Sequence, residues 1–208
     1  MLGVMVSASP FVSDSLEPDR RFAVYDVPWD TYVRVRDAFD EAHTGVRLTY
    51  LEGVLELMSP SRDHEALAKL LARLVEAFAE ERGLPLNGYK STTFRTEAKA
   101  RGLEPDECYS LGPLRDVPDL ALEIVVSSSL VDKLAVYEGL RIAEVWVHRE
   151  GALTVYRLGA AGYQAQAQSD VLPGLDVGQL ATYVRVDADQ TAAVRSYRAL
   201  LRSRAAGG

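Results

Sequence analysis

Four ionisable side chains in the middle of this chain could do chemistry together: Asp106, Asp119, Glu123 and Lys133. Glu123 is the most telling. It sits inside the apolar run LALEIVV, residues 120–126, which reads as a strand covered on both faces. An ionised carboxylate there is costly unless it is paired or holds a metal. Asp119 lies four residues earlier, so on a strand it faces the same side as Glu123. Asp106 opens the preceding strand, and if the two strands are neighbours Asp106 and Glu123 converge. Carboxylates brought together repel one another and want a cation, and ligation by one or two carboxylates plus water suits Mg²⁺ or Mn²⁺. Lys133 belongs to the helix that follows, and its flexible stem could reach back to the carboxylates. Plainer readings stand beside these. Asp106 and Asp119 both follow proline, a common turn pair. Lys133 alone reads as a solvated helix lysine. Glu123 and Lys133 could also form an ion pair with a purely structural role.

The elements that must position these residues follow from periodicity. Residues 1–22 show none and are expected to form a disordered tail, ahead of a single domain over 23–208. Trp29, Tyr32, Val33 and Phe39 recur at helical spacing. Residues 46–60 alternate around Glu52-Gly53 and read as a β-hairpin. Leu67, Leu70, Leu71, Leu74 and Phe78 give one apolar face to a helix over 61–82, with Ser61 or Asp63 as cap and Gly83 as stop. His64 and Glu65 fall in its first turn, where a carboxylate also simply suits the helix dipole. Residues 84–98 read as one strand centred on Thr92, Thr93 and Phe94, and a short strand opens on Pro105-Asp106. After the 119–126 strand, Ser129 and Asp132 resemble a capping box for a helix over about 129–140. Residues 144–148 form a buried strand, 153–158 an alternating one, 163–169 an edge strand, and 187–204 a C-terminal helix. The helix between strands 119–126 and 144–148 implies a parallel crossover, whereas the earlier strands are joined by short turns. The result is an α/β (α+β) core: a mixed sheet with helices against it.

Composition narrows the function. With 208 residues and 48% hydrophobic content there is material for one sizeable core. The net charge of −7 argues against a protein that coats nucleic acid through a broad basic field, though not against an enzyme that meets DNA through metal ions. The single Cys108 excludes a disulfide framework and a cysteine zinc cluster, and lacks a matching histidine for nucleophilic work. His64 and His148 are not at paired metal spacing. No apolar stretch reaches membrane-spanning length and the N-terminus lacks the pattern of a signal peptide, so a cytoplasmic location is expected.

A Pro-Asp before one strand, a Glu in the next and a Lys on the following helix resemble the PD-(D/E)xK nuclease superfamily. The segments LTYLEGVLELMSP with HE (48–65), GLEPDECYSLG (102–112), VPDLALEI (117–124) and DKLAVYEGLRIAEVWV (132–147) resemble, more closely, the Uma-two family of restriction-endonuclease-like proteins. The resemblance covers about 45–158. It implies a restriction-endonuclease-like core, a central mixed β-sheet flanked by helices and preceded by an N-terminal helix and β-hairpin. It implies cleavage of DNA phosphodiester bonds with Mg²⁺ or Mn²⁺, with Asp106 and Glu123 as the metal-binding acids and Lys133 as the lysine. Glu65 would be an added helix carboxylate. Either Asp106 or Asp119 could be the Pro-Asp aspartate, and Asp106 is favoured because it lies on the strand before the Glu strand, as the superfamily pattern requires. The superfamily lysine stands two residues after the Glu, where this chain has Val125, so Lys133 would be a displaced equivalent. A homodimer could cut both strands. The rival expectation is a catalytically inactive binding or regulatory protein that keeps the fold.

Overall fold

A computed structural model describes residues 16–89, 93–129 and 131–206 of the chain. In chain order these form β1 (Arg20–Val24), α1 (Trp29–Glu41), β2 (Arg47–Leu51), β3 (Val54–Ser59), α2 (Arg62–Arg82), β4 (Leu86–Gly88), β5 (Phe94–Thr96), β6 (Arg101–Leu103), β7 (Glu107–Leu111), β8 (Leu120–Val125), α3 (Lys133–Leu140), β9 (Glu144–Arg149), β10 (Ala152–Gly159), β11 (Gly162–Gln166), α4 (Val177–Ala181) and α5 (Gln190–Ala206).

The strands form two sheets. One runs β1-β3-β2-β6-β5 and is antiparallel throughout. The other runs β11-β10-β9-β8-β7-β4 and is mixed: β8 and β9 are parallel, joined by α3, and its other pairs are antiparallel. This is the expected mixed α/β fold, a central sheet flanked by helices. The β2–β3 hairpin closes through Glu52 (φ 48) and Gly53 (φ 95), a left-handed pair that matches strand twist.

Alternation along β8 explains the layers. Leu120, Leu122 and Ile124 point to one face and pack with Leu70, Leu71, Leu74 and Phe78 of α2, and with Tyr197 and Leu201 of α5. Ala121 points to the other face, where α3 lies between the two sheets with Val136, Tyr137 and Leu140 against Leu103 and Phe94. On the outer face of the first sheet, α1 lays Tyr32 on Tyr50, ring centroids 4.7 Å apart and stacked. Among the described residues no helix is long and apolar enough to cross a membrane.

Four sequence expectations need correction. Residues 1–15 lie outside the described residues, but 16–22 are no tail. Arg20–Val24 pairs with β3, because backbone groups at the edge of β3 accept another strand. The segment 84–98 is not one strand: β4 and β5 belong to different sheets, and residues 90–92 lie outside the described residues. The helix after β8 starts at Lys133, capped by the Asp132 side chain on the Ala135 N–H, because the Ser129 hydroxyl is drawn instead to Glu56. The expected one sheet is two, since β6 pairs with β2 while β7 pairs with β8.

Helix α5 is tied to α2 by charge as well as packing. Arg202 and Arg198 both reach Glu81, at 2.7 and 3.0 Å. Their hydrogen bonds, Arg202 first, push the Glu81 carboxyl down to about 2 from its ordinary 4.5. A depressed carboxylate stabilises the fold fully above its unfolded pKa and loses that contribution as pH falls through the folded one. The melting temperature of Glu81→Gln should therefore lie below wild type at pH 6 and converge with it near pH 2. The gap at pH 6 should narrow in high salt, because the pair faces solvent.

Candidate active site

Glu123 is 2% exposed, and its burial follows from its place on the central strand β8. Lys133, the first residue of α3, turns its ammonium back to Glu123 Oε2 at 2.6 Å. The buried Tyr137 hydroxyl, one turn further along α3, donates to Oε1. Burial raises the Tyr137 pKa well above the ordinary value, and the Glu123 charge and hydrogen bond raise it further, so this phenol stays a donor. An open cavity of about 530 Å³ lies over this group, lined by Glu123, Lys133, Tyr137, Arg21, Arg149 and the segment Ser127–Ser129.

Asp106 directly precedes β7. One step beyond the pair Glu107↔Leu122 it comes opposite Glu123. It is 1% exposed. Its Oδ2 accepts the Ile124 N–H at 2.6 Å, next to Glu123 in the chain. Its Oδ1 meets the Arg47 guanidinium from β2 and lies 3.0 Å from His64 Nε2 at the start of α2. Arg47 also reaches Glu65 Oε1 at 2.6 Å. Behind this group, His64 Nδ1 is 3.1 Å from Asp19 Oδ2. Arg21 bridges Asp19 and Glu56 at 3.0 and 2.8 Å and reaches the Ser127 hydroxyl at 3.2 Å. Ser129 donates to Glu56 at 3.0 Å. The segment after β8 is thereby fastened beside Glu123.

The sequence profile of the Uma-two family, described as "Putative restriction endonuclease", matches residues 29–185. The chain belongs to the Uma-two family of PD-(D/E)xK-like nucleases. No curated protein matches it. Among solved structures, one described as that of a "putative nuclease" from Anabaena variabilis is 14% identical, with a TM-score of 0.45, over 64% of this chain and 90% of that one.

Within this Uma-two chain the residues named from sequence divide. Asp106, Glu123 and Lys133 gather on two neighbouring strands and the helix that follows them. Glu65 joins them through Arg47. Asp119 does not: it precedes β8, about 13 Å along the strand from Glu123 at ordinary rise. There it accepts from the Leu111 N–H at 2.9 Å and from Arg115 at 2.7 Å, closing the β7–β8 turn. The structure thus places Asp119 in the β7–β8 turn, apart from Asp106, Glu123 and Lys133. The Glu123–Lys133 ion pair allowed by the sequence is present. Cys108 is buried, and burial pushes its thiol up to about 12, which leaves no thiolate for nucleophilic work. His148 faces away from Glu123: it pairs in register with Ile124, on the α2 side of the sheet, and burial lowers its pKa.

Among the described residues no three histidine, cysteine or acidic side chains gather to hold a metal ion. Asp106 and Glu123 offer two carboxylates. Carboxylate oxygens carry two lone pairs each. Among the described residues, Asp106 Oδ2 and both Glu123 oxygens accept one donor apiece and keep capacity for another bond. Two carboxylates completed by water are a donor set that fits Mg²⁺ or Mn²⁺.

Sequence reasoning missed Asp19, Arg21, Arg47, Glu56 and Tyr137, and left His64 without a partner. Tyr137 lies one helical turn beyond Lys133 and so carried a usable signal. Asp19 and Arg21 lie in a stretch with no periodicity, and nothing local marked them.

Proposed function

We propose that this protein is a metal-dependent endonuclease that hydrolyses DNA phosphodiester bonds at Asp106, Glu123 and Lys133. The observation that carries the reading is the Lys133 ammonium 2.6 Å from a buried Glu123, on the strand beside Asp106 and under an open cavity. Asp106 and Glu123 would hold Mg²⁺ or Mn²⁺, with Glu65 as a further carboxylate nearby. Bound there, the cation supplies a Lewis acid for a phosphate oxygen and a water of lowered pKa. The chain's own residues do the rest. Tyr137 and the Ile124 N–H fix the two carboxylates. Lys133 sets a positive charge where a phosphate entering the cavity would meet it, and preorganised charge of this kind favours the transition state. The Ser128 hydroxyl lines the same cavity and can donate to a phosphate oxygen, while those of Ser127 and Ser129 are given to Asp19 and Glu56. On this reading the protein works in the cytoplasm, and two copies act together where both strands are cut.

Plasmid cleavage with Mg²⁺ or Mn²⁺, and again with EDTA, tests the proposal. Nicking or linearisation is expected only with the cation, and none from Asp106→Asn. RNA of the same sequence, run in parallel, reads the sugar preference. One observation favours a second reading, an inactive binding protein. Both carboxylates already have protein cations beside them, Arg47 on Asp106 and Lys133 on Glu123, so the fold is neutralised without a metal. Absence of cleavage together with no heat of Mn²⁺ binding in calorimetry would select that reading.

A further inference from the structure

We propose that Asp19 positions Asp106, acting through His64. The inference rests on reading Asp106 as a cation-binding carboxylate. Asp19 lies ahead of residues 29–185, so this part of the site comes from outside the family-matched stretch.

The geometry is a buried line of three groups. Asp19 is 8% exposed and His64 is fully buried. Asp19 Oδ1 accepts the Ser61 N–H at 2.9 Å, and Oδ2 faces His64 Nδ1 at 3.1 Å. Burial alone would raise the Asp19 pKa. Hydrogen bonds from His64 and the Ser61 N–H, with the charges of His64 and Arg21, reverse this and hold it well below the usual carboxylate range. An ionised carboxylate only accepts, so Nδ1 carries the hydrogen of the Asp19 bond. That bond sets the ring's rotation and leaves Nε2 3.0 Å from Asp106 Oδ1 and 3.0 Å from the Arg47 guanidinium that donates to the same oxygen. The His64 backbone cannot drift, because its N–H is held by the Ser61 cap at 3.2 Å. Asp19 is anchored in turn: β1, which begins one residue later, pairs Arg20 with Ser59, and the Glu17 N–H donates to Asp63 at 2.8 Å. On its far side Asp106 is held by the Ile124 N–H. Outer partners that orient a ligating side chain cost about 10–100-fold in metal affinity when lost, and His64 with Asp19 behind it takes that place for Asp106.

The test uses the full chain with two substitutions. Asp19→Asn removes the charge. His64→Asn places an amide near the Nδ1 position, so it keeps the Asp19 contact but falls short of Asp106. Two quantities are measured beside the melting curve: amide hydrogen exchange at Ile124 in metal-free protein, and Mn²⁺ affinity by calorimetry. Both substitutions should speed Ile124 exchange about tenfold while the other β8 amides stay protected, and should weaken Mn²⁺ binding about 10–100-fold. A general loss of structure would move all the β8 amides together. Wild-type exchange at Ile124 in both variants overturns the proposal, as does unchanged Mn²⁺ affinity. If the wild type itself takes up no Mn²⁺, the cation-site reading of Asp106 fails, and the Ile124 exchange alone decides whether Asp19 positions the carboxylate.

Discussion

Glu123→Gln is expected to lower cation-dependent DNA cleavage by about a hundredfold to a thousandfold, with little loss of fold. Gln keeps the shape and one acceptor oxygen for Tyr137, so the hydrogen bond from α3 survives. It removes the charge that pairs with Lys133 and would hold a divalent cation, and losing one preorganised electrostatic contact in a site costs about 10²–10³ in rate. The obvious objection is that Glu123 and Lys133 form a structural pair only. The double substitution Glu123→Gln with Lys133→Met separates the two roles. Replacing both members of a buried pair by uncharged groups of similar volume is often neutral for stability, whereas removing one is not. Lys133 is 14% exposed, so its ammonium can turn partly to solvent when Glu123 is lost, which limits the penalty of the single change. The double variant should melt close to wild type and remain without activity. Chemical denaturation and plasmid cleavage on the four proteins of the cycle measure both effects. Cleavage at the wild-type rate by the double variant would leave the pair with a structural role alone.

Glu144→Ala is expected to destabilise the fold by about 3–5 kcal/mol, which in a chain of this size lowers the melting temperature by about 10 °C. Glu144 opens β9 and is 1% exposed. Its Oε1 accepts from Trp146 Nε1 at 2.6 Å and the Ser169 hydroxyl at 2.5 Å. Its Oε2 accepts the N–H groups of Asp170 at 2.9 Å and Val171 at 3.4 Å. Alanine leaves these donors without their acceptor, and a buried donor left unsatisfied costs about 1–3 kcal/mol. It also frees the segment 169–172 that leads Leu172 into the α2 side of the core. Glu144→Gln should fall between, because an amide nitrogen cannot accept from either donor pair. Thermal melting checks the order wild type, Gln, Ala. A Glu144→Ala protein that melts with wild type would show that the four hydrogen bonds do not hold the loop.

Glu144 also shows where reading along the chain runs out. Its own strand is plain in EVWVH, and its carboxylate is as buried as that of Glu123. Only Trp146 among its partners is near in sequence. The others lie more than twenty residues on, in a loop without periodicity. The same holds for Asp106. That a Pro-Asp opens the strand beside the Glu strand was legible, because short turns between apolar runs make neighbours antiparallel. That Arg47 and His64 close on it was not, since the contacts span 59 and 42 residues. Asp119 had the same Pro-Asp signature, and the register of β7 on β8 put it at the turn.

By itself the sequence determined the elements whose cause is local: the α2 face and its Ser61 and Gly83 ends, the β2–β3 hairpin, the doubly covered β8 strand, and a carboxylate inside it that needed a partner. It also carried the order Asp106, Glu123, Lys133, through which the family could be recognised. The tertiary structure alone decided the division into two sheets, the start of α3 at Lys133 rather than Ser129, and the recruitment of Asp19 and Arg21 to the site. The physical reason is range. Periodicity and capping act within a turn or two of chain, whereas a buried charge is satisfied by whichever donor the packing brings within 3 Å, and for Asp106 and Glu56 those donors come from distant elements.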